Sequence, residues 1–176
     1  MTGELSLVSL RDVLGNRGIR KSLIDLYKEI WKEPPWDENF WTDELVNEDI
    51  KFALSQKDFS GKAALQTDGG LYVVGFTWGY QLPKGQFPFL IPFFDEEETF
   101  YIDELGVAKP FRGRGTGSKI SQLLEEDVDK FGYPSMTLRT DVGGVAYPFY
   151  MNRDYVDIGV RDPKYPQRAY MVKRLK

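Results

Sequence analysis

Alternating glycines separate a strand-like segment from a helix-like segment in the second half of the chain. Gly113, Gly115 and Gly117 stand at every second position, beside Arg112 and Arg114. Glycine lets consecutive main-chain N–H groups turn toward one centre, and a following helix adds unpaired N–H groups and the positive end of its dipole. The two arginines suit the same anion. This segment therefore predicts a phosphate-binding turn between a strand and a helix.

The chain contains no histidine and no cysteine. Their absence excludes thiol catalysis, disulfides, histidine bases and Cys/His zinc sites, so we expect no metal. Acid–base work must fall to Asp, Glu, Tyr, Lys or water. With 23 basic and 27 acidic residues the formal net charge is -4, which offers no electrostatic footprint for a nucleic-acid partner.

The length of 176 residues fits one domain, so we expect a single domain over 1–176. The longest apolar run, 87–94, holds two prolines and is far too short to span a membrane. The stretch 1–7 lacks the basic-then-apolar layout of a secretory signal, which favours a cytoplasmic location. The aromatic residues of 87–94 are candidates for a homodimer contact.

Hydrophobic periodicity predicts a mixed α/β (α+β) chain. Apolar residues at helical spacing predict helices over 16–31, over 120–131 and over 145–151, and a further helix that begins near Thr42. Strand patterns mark 5–10, 62–67, 71–82, 99–107, 135–140, 156–160 and 169–173. A hairpin is expected at Asp68-Gly69-Gly70. Alternation in the third strand predicts one face made of Tyr72, Val74, Phe76, Trp78 and Tyr80. The connection over 83–98 fits either a functional loop or hydrophobic packing.

Two familiar phosphate loops do not match the glycine segment well. A Walker loop needs lysine directly after the last glycine, whereas Ser118 precedes Lys119 here. A dinucleotide fingerprint needs Gly-x-Gly-x-x-Gly, and the spacing here is one residue short, although Asp141 follows the next strand where a ribose-binding acid is expected.

The pattern Arg112-x-x-Gly115-x-Gly117 resembles the pyrophosphate-binding motif of the GNAT superfamily of N-acetyltransferases, Arg/Gln-x-x-Gly-x-Gly/Ala. In that family the motif links the fourth strand to the third helix, and the element order expected here agrees from about Glu4 to Leu175. Leu105-Gly-Val107 also resembles the end of the family's fourth strand. The resemblance implies a mixed, mostly antiparallel sheet of about seven strands flanked by about four helices.

The resemblance implies acetyl-CoA as cosubstrate. Main-chain N–H groups of the loop would hold its pyrophosphate, and the end of the fourth strand would pair with the pantetheine amides where the fourth and fifth strands splay apart. An N–H near Val107 would stabilise the oxyanion at the thioester carbonyl. The implied cofactor-binding residues are Val107, Ala108, Lys109, Arg112, Gly113, Arg114, Gly115, Thr116, Gly117 and Ser118.

Three residues are candidates for the chemistry that the resemblance implies. Asp103 or Glu104 would take a proton from the ammonium, with Glu104 favoured. Their side chains point to opposite faces of a regular strand, and a bulge would swap which one faces the substrate. Tyr150 matches the tyrosine of the family's Ala-x-x-x-Tyr helix, and a phenol is a competent proton donor to the departing thiolate.

The acceptor pocket is expected to include Trp36, Asp37, Trp41 and Tyr80, because an aromatic and acidic edge suits a cationic amine. The resemblance thus implies transfer of acetyl to a primary amine of a small molecule or peptide by direct attack. Two other functions stay open. One is a non-catalytic acyl-CoA sensor or interaction module on the same fold, and the other is a nucleotide-binding oxidoreductase that uses Asp141.

Overall fold

One seven-stranded sheet organises the molecule. The structure, a computed structural model, describes residues 5–175, so the ends of the expected domain, 1–4 and 176, lie outside the described residues. The strands are β1 (Leu5–Ser9), β2 (Ser60–Gln66), β3 (Tyr72–Gln81), β4 (Thr99–Val107), β5 (Ser135–Asp141), β6 (Val156–Arg161) and β7 (Arg168–Arg174). Their order is β1-β2-β3-β4-β5-β7-β6, and only β4 and β5 are parallel. The mixed, mostly antiparallel sheet is confirmed.

Helices cover both faces of this sheet. They are α1 (Leu10–Gly15), α2 (Arg17–Trp31), α3 (Asp43–Ser55), α4 (Thr116–Phe131) and α5 (Ala146–Met151). The first three pack on the face that carries Phe76 and Trp78, and α4 packs on the opposite face against Ala64 and Val74. The described residues form five α-helices, whereas about four were expected, because the six-residue helix α1 precedes α2.

Side chains and glycine set the helix boundaries. The Asn16 side chain accepts hydrogen bonds from the N–H groups of Gly18 and Ile19 and so begins α2 directly after α1. Thr42 caps α3 by accepting from the Leu45 N–H, as the sequence predicts. Gly132, at φ 84°, ends α4 in the left-handed conformation that favours glycine.

A β-bulge in β3 overturns the expectation of one continuous face. Ala64 pairs with Gly75 and Leu65 pairs with Val73, so Val74 is an extra residue in the ladder. The bulge turns Val74 toward α4, while Phe76 and Trp78 face α2 and α3. A one-residue shift in a strand moves every later side chain to the other face, and apolar residues occupy both faces here.

The connection over 83–98 is largely hydrophobic packing. Phe87, Leu90 and Phe94 are buried in the same core cluster as the aromatic residues of β3. The Phe87 ring lies 5.3 Å from that of Tyr101 and 5.5 Å from that of Tyr170. Most of the aromatic side chains of 87–94 that are candidates for a dimer contact are thus buried within the protein's own core. The homodimer stays a prediction.

No helix within residues 5–175 combines the length and the apolar character that a membrane crossing requires.

Candidate active site

The parallel strands β4 and β5 separate partway along their length. Their pairing runs from Thr99 with Ser135 to Ile102 with Leu138 and ends there. Beyond this point a groove of about 570 Å³ opens between the strands. The last residues of β4, the glycine loop and Phe149 of α5 line this groove. The main chain of β4 therefore has one free edge that faces the groove.

The glycine loop at one end of the groove is an anion cradle. Gly113 and Gly115 have φ angles of 69° and 80°, a left-handed conformation in which other residues are strained. The first helical hydrogen bond of α4 is donated by the Lys119 N–H to Gly115, at 3.0 Å. The N–H groups of the turn before it, 116–118, are thus free for an anion. The Thr116 hydroxyl is buried there without a hydrogen-bond partner among the described residues.

The guanidinium of Arg112 does not point freely at this cradle. It donates to both carboxylate oxygens of Glu33, at 2.7 and 3.0 Å, and its Nε donates to the Val107 carbonyl at 2.7 Å. The Arg114 side chain is exposed. Because a bidentate carboxylate satisfies the Arg112 fork, the anion site left in the loop consists mainly of main-chain N–H groups.

The end of β4 offers a main-chain donor to the groove at Val107. The Ala108 N–H donates to the Val74 carbonyl at 2.9 Å, and its carbonyl accepts from Phe111 at 2.8 Å. Both main-chain groups of Ala108, a residue expected to pair with pantetheine, are therefore used within the protein. Because N–H directions alternate along a strand, the Val107 N–H points away from β3 and toward the groove. The Lys109 side chain is exposed.

A second bulge brings Asp103 and Glu104 to the same face of the sheet. Trp78 pairs with Glu104 and Gly79 pairs with Ile102, so Asp103 is the extra residue. The Trp78 Nε1 donates to Asp103 at 3.1 Å, and the Tyr27 hydroxyl lies 3.3 Å from Glu104. The strand is bulged as the sequence analysis allowed, but the bulge brings both carboxyls to one face instead of exchanging which one faces it. We call the side-chain cluster of Tyr27, Asp49, Trp78, Asp103 and Glu104 the acidic chamber.

The carboxyls of the acidic chamber hold protons more tightly than ordinary ones. Burial, and next the charge of Asp49, raises the pKa of Asp103 to about 7. Burial and the charges of Asp103 and Asp49 raise the pKa of Glu104 well above its usual range. Burial also raises the pKa of Asp49. Three carboxyls in one buried cluster cannot all ionise easily at neutral pH.

Two of the expected acceptor residues border the acidic chamber. The Trp41 ring meets the Tyr27 ring edge-on at 5.0 Å, and its Nε1 donates to Glu38 at 2.9 Å. Tyr80 is buried on β3, and its hydroxyl faces the carboxyl of Asp103. These contacts give the chamber an aromatic wall.

The other two expected acceptor residues lie elsewhere. Trp36 lines the groove, where the Arg168 guanidinium stacks on its ring at 4.8 Å. Asp37 is exposed in a left-handed turn at φ 52° and does not border the chamber. The neighbouring Glu38 takes the inward position, since its charge helps to raise the pKa of Glu104.

Tyr150 is buried on α5 between two aromatic rings. Its ring centre lies 5.2 Å from that of Phe149 and 5.2 Å from that of Tyr155. Burial, and next the charge of Glu104, raises the pKa of Tyr150, so its hydroxyl stays protonated at neutral pH. Within residues 5–175 no side chain or main-chain group hydrogen-bonds this hydroxyl. The phenol is therefore available as a donor beside the groove that Phe149 lines.

The two alternative phosphate loops conflict with the fold. Dinucleotide and Walker loops occur on parallel, doubly wound sheets, and only one of the strand pairs here is parallel. The Asp141 carboxylate accepts from the Gly143 N–H at 2.8 Å within its own turn. No group of three or more acidic side chains in the described ranges is arranged to hold a metal ion.

Sequence reasoning missed three residues of this site. Tyr27 lies on the apolar face of α2, so its periodicity indicates only a core position. Asp49 and Glu33 are polar residues among many others near α2 and α3, and no local motif marks them. Tyr27 and Glu104 are 77 residues apart in the sequence, and Glu33 and Arg112 are 79 residues apart, so only the folded structure brings each pair together.

The gap in this mixed sheet, with its unpaired main-chain N–H groups, is suited to an extended molecule that carries an anion. The model of the acetyltransferase (GNAT) family matches residues 18–154, which is most of the chain. The chain therefore belongs to the GNAT acetyltransferase family, whose general reaction is acyl-CoA-dependent acetyl transfer to amines. No curated protein matches the sequence.

Solved structures share the whole architecture at low sequence identity. A GNAT-family acetyltransferase from Staphylococcus aureus Mu50 has a TM-score of 0.71 and 17% identity, covering 98% of this chain and 100% of its own. The aminoglycoside 6'-acetyltransferase type Ii has a TM-score of 0.69 and 18% identity, covering 98% and 97%. The PaiA N-acetyltransferase from Thermoplasma acidophilum, in complex with coenzyme A, has a TM-score of 0.65 and 17% identity, covering 99% of both chains.

Proposed function

We propose that residues 1–176 act as one domain that transfers acetyl from acetyl-CoA to a primary amine, without a covalent enzyme intermediate. One observation carries the proposal. The acidic chamber and the groove adjoin along a single strand, because Asp103 and Glu104 directly precede the groove-lining Leu105, Gly106 and Val107. An amine in the chamber and a thioester in the groove would meet at this point of β4.

The groove residues fit coenzyme A by their own chemistry. The free N–H groups of 116–118 and the unpartnered Thr116 hydroxyl suit a pyrophosphate. Acetyl-CoA, when bound, supplies the acetyl group as a thioester. The Val107 N–H, which faces the groove, would hydrogen-bond the carbonyl oxygen where negative charge develops. No side-chain donor is needed for that role.

Proton transfer falls to the carboxyls and to Tyr150. Burial raises the pKa of Asp103 to about 7 and that of Glu104 well above its usual range, and a base works best when its pKa is close to the working pH. Either one would accept a proton from the acceptor ammonium, and Glu104 stays favoured. The protonated Tyr150 hydroxyl would donate to the sulfur as the C–S bond breaks, and the second proton lost from the newly bonded nitrogen would restore the phenol.

The acceptor is an amine that reaches the chamber as a cation. Its aromatic and acidic walls suit an ammonium through charge and cation–π attraction. An amino group of a small molecule, such as the aminoglycosides of one structural relative, or of a peptide fits this description. A cytoplasmic location stays a prediction.

Calorimetry and a thiol-release assay test the proposal together. We expect acetyl-CoA and CoA to bind in the micromolar range, and NAD to bind more weakly by at least 100-fold. A panel of primary amines with acetyl-CoA should give free thiol and an acetylated product. Absence of CoA binding at millimolar ligand would overturn the proposal. Binding without turnover over the whole panel would favour the acyl-CoA sensor, and preferential NAD binding would favour the oxidoreductase.

A further inference from the structure

The hydroxyl of Tyr27 bridges two carboxyls that come from different elements. It lies 3.0 Å from Asp49 on α3 and 3.3 Å from Glu104 on β4. The Tyr27 ring stacks with those of Phe76 and Trp78, at 6.0 and 5.9 Å between centres and 14° and 10° between planes. Packing on this scale fixes the hydroxyl between the two carboxyls.

A phenol has one proton, and an ionised carboxyl only accepts hydrogen bonds. Tyr27 can therefore donate to one of the two carboxyls but not to both. The second contact becomes a hydrogen bond only when that carboxyl is protonated and donates to the phenol oxygen. The three groups form a chain in which Glu104 O–H donates to Tyr27 and Tyr27 O–H donates to Asp49, or the reverse. A proton entering at one end can leave at the other.

The proposed reaction produces a proton that needs such a route. An ammonium acceptor and acetyl-CoA give an amide, the CoA thiol and one released proton, whereas a neutral amine gives the amide and the thiol alone. Glu104 faces the chamber and is covered once the acceptor fills it. Asp49 lies at the other end of this hydrogen-bonded chain, partly exposed on α3 beside the exposed Glu48.

We propose that Tyr27 and Asp49 form the proton exit of this site, an inference that rests on the proposed function. The ammonium N–H bond breaks and its proton passes to Glu104. The Glu104 proton then moves to the Tyr27 oxygen as the Tyr27 proton moves to Asp49, which releases it to water. Rotation of the Tyr27 hydroxyl restores the starting state. Neither residue touches the reacting atoms, so both act through Glu104.

Other titratable and charged groups influence the protonation of this hydrogen-bonded chain of Glu104, Tyr27 and Asp49. Those that face Glu104 or its neighbour Asp103 come from the segment after α2, from β3, β4, β5 and α5, and they are Glu38, Tyr80, Tyr101, Arg139 and Tyr150. Arg139, the cation in this set, bonds Asp162 at 2.6 Å. The charge of Asp49 raises the pKa of both β4 carboxyls, and the Tyr27 hydrogen bond lowers that of Glu104.

The variants Tyr27→Phe and Asp49→Asn test the exit, because each keeps the shape of its side chain. With propylamine, which is protonated at pH 8, we expect kcat to fall about 10- to 100-fold in both. With 2,2,2-trifluoroethylamine, which is mostly neutral at that pH, we expect a change of less than about twofold. The acidic limb of the pH profile should move up in Tyr27→Phe and down in Asp49→Asn. Glu48→Gln, one residue away on α3, is the matched control and should behave as wild type.

Equal losses with both amines would indicate a structural role and overturn the inference, as would unchanged kcat with propylamine. A wild-type chain that binds acetyl-CoA but acetylates neither amine would count against the proposed function instead. Infrared spectroscopy then tests the proposed proton exit in the resting protein, without any reaction taking place. At pH 7 the wild type should show a protonated-carboxyl band that moves to higher frequency in Tyr27→Phe as its hydrogen bond is lost. A protonated-carboxyl band whose frequency is unchanged in Tyr27→Phe would refute the hydrogen-bonded chain through Tyr27.

Discussion

At the scale of single residues, Tyr150 offers a direct test of chemistry separated from binding. Tyr150→Phe removes only the hydroxyl, and the ring keeps its contacts with Phe149 and Tyr155. We expect kcat to fall about 100-fold or more while KM for acetyl-CoA changes less than about twofold. Steady-state kinetics at saturating amine measure both quantities.

Tyr155→Phe is the matched control, since Tyr155 is also buried but its hydroxyl bonds the Met136 sulfur at 3.7 Å. This control should keep wild-type kcat. Equal losses of kcat in the two variants would remove Tyr150 as the proton donor.

Asp103 should make stability depend on pH. Its pKa is raised from 3.8 to about 7, so the native state binds a proton that the unfolded chain has lost. The resulting stabilisation is complete below about pH 4 and disappears as pH rises through 7. The full shift corresponds to about 4 kcal/mol, and partial exposure of the side chain reduces our expectation to about 2 kcal/mol.

Urea unfolding of the wild type and Asp103→Asn at pH 4 and pH 8 measures this effect. The wild type should lose about 2 kcal/mol relative to the variant over that range. The exposed Asp37→Asn is the control and should follow the wild type. A difference between wild type and Asp103→Asn that stays constant with pH would show that Asp103 titrates normally.

Residue types and local motifs predict part of the candidate site. The glycine cradle follows from spacing alone, because only main-chain conformation is needed there. Tyr27 and Asp49 do not, because they gain their roles from contacts with β4 that form only in the folded chain. Asp37 and Glu38 are neighbouring acidic residues that the sequence pattern does not distinguish. The left-handed turn at Asp37 decides which of the two side chains faces inward.

At the scale of elements, the bulge in β4 depends on a glycine in the neighbouring strand. A Cβ at Gly79 would lie 2.3 Å from the Tyr101 carbonyl and 2.6 Å from the Phe100 ring. Gly79→Ala should therefore cost about 3 kcal/mol of folding free energy, since main chain cannot move aside easily. Chemical denaturation measures the loss.

Gly15→Ala is the comparison, because a Cβ there meets nothing within 4 Å. Its stability should stay within about 0.5 kcal/mol of wild type. If Gly79→Ala were as stable as Gly15→Ala, the close packing of β3 on the bulge would be disproved.

Long periodic elements are predictable from this sequence and short or irregular ones are not. The helices α2 and α4 each repeat their apolar positions over 15 or 16 residues, which identifies both. The six residues of α1 include only two buried apolar side chains, too few to show a period. The bulges at Val74 and Asp103 reflect pairing between strands, which a single-strand pattern does not contain.

At the scale of the whole molecule, ligand binding should appear as global stabilisation. A ligand at 100 times its Kd adds about 2.7 kcal/mol to the free energy of unfolding. For a chain of this length that amounts to a Tm rise of about 5 to 10 °C with CoA. Scanning calorimetry with and without CoA measures it. NAD at the same concentration is the control, and an equal rise with NAD would contradict a coenzyme A site.

All four tryptophans of the chain lie around the groove and the acidic chamber. The Trp31 ring lies 4.9 Å from that of Trp36 and 6.2 Å from that of Trp41 between centres, and Trp78 stacks on Tyr27 in the acidic chamber. Ultraviolet emission of the native protein therefore originates at its site, with no indole elsewhere to add background. Entry of a ligand into groove or chamber can be followed by intrinsic fluorescence in real time, without a label.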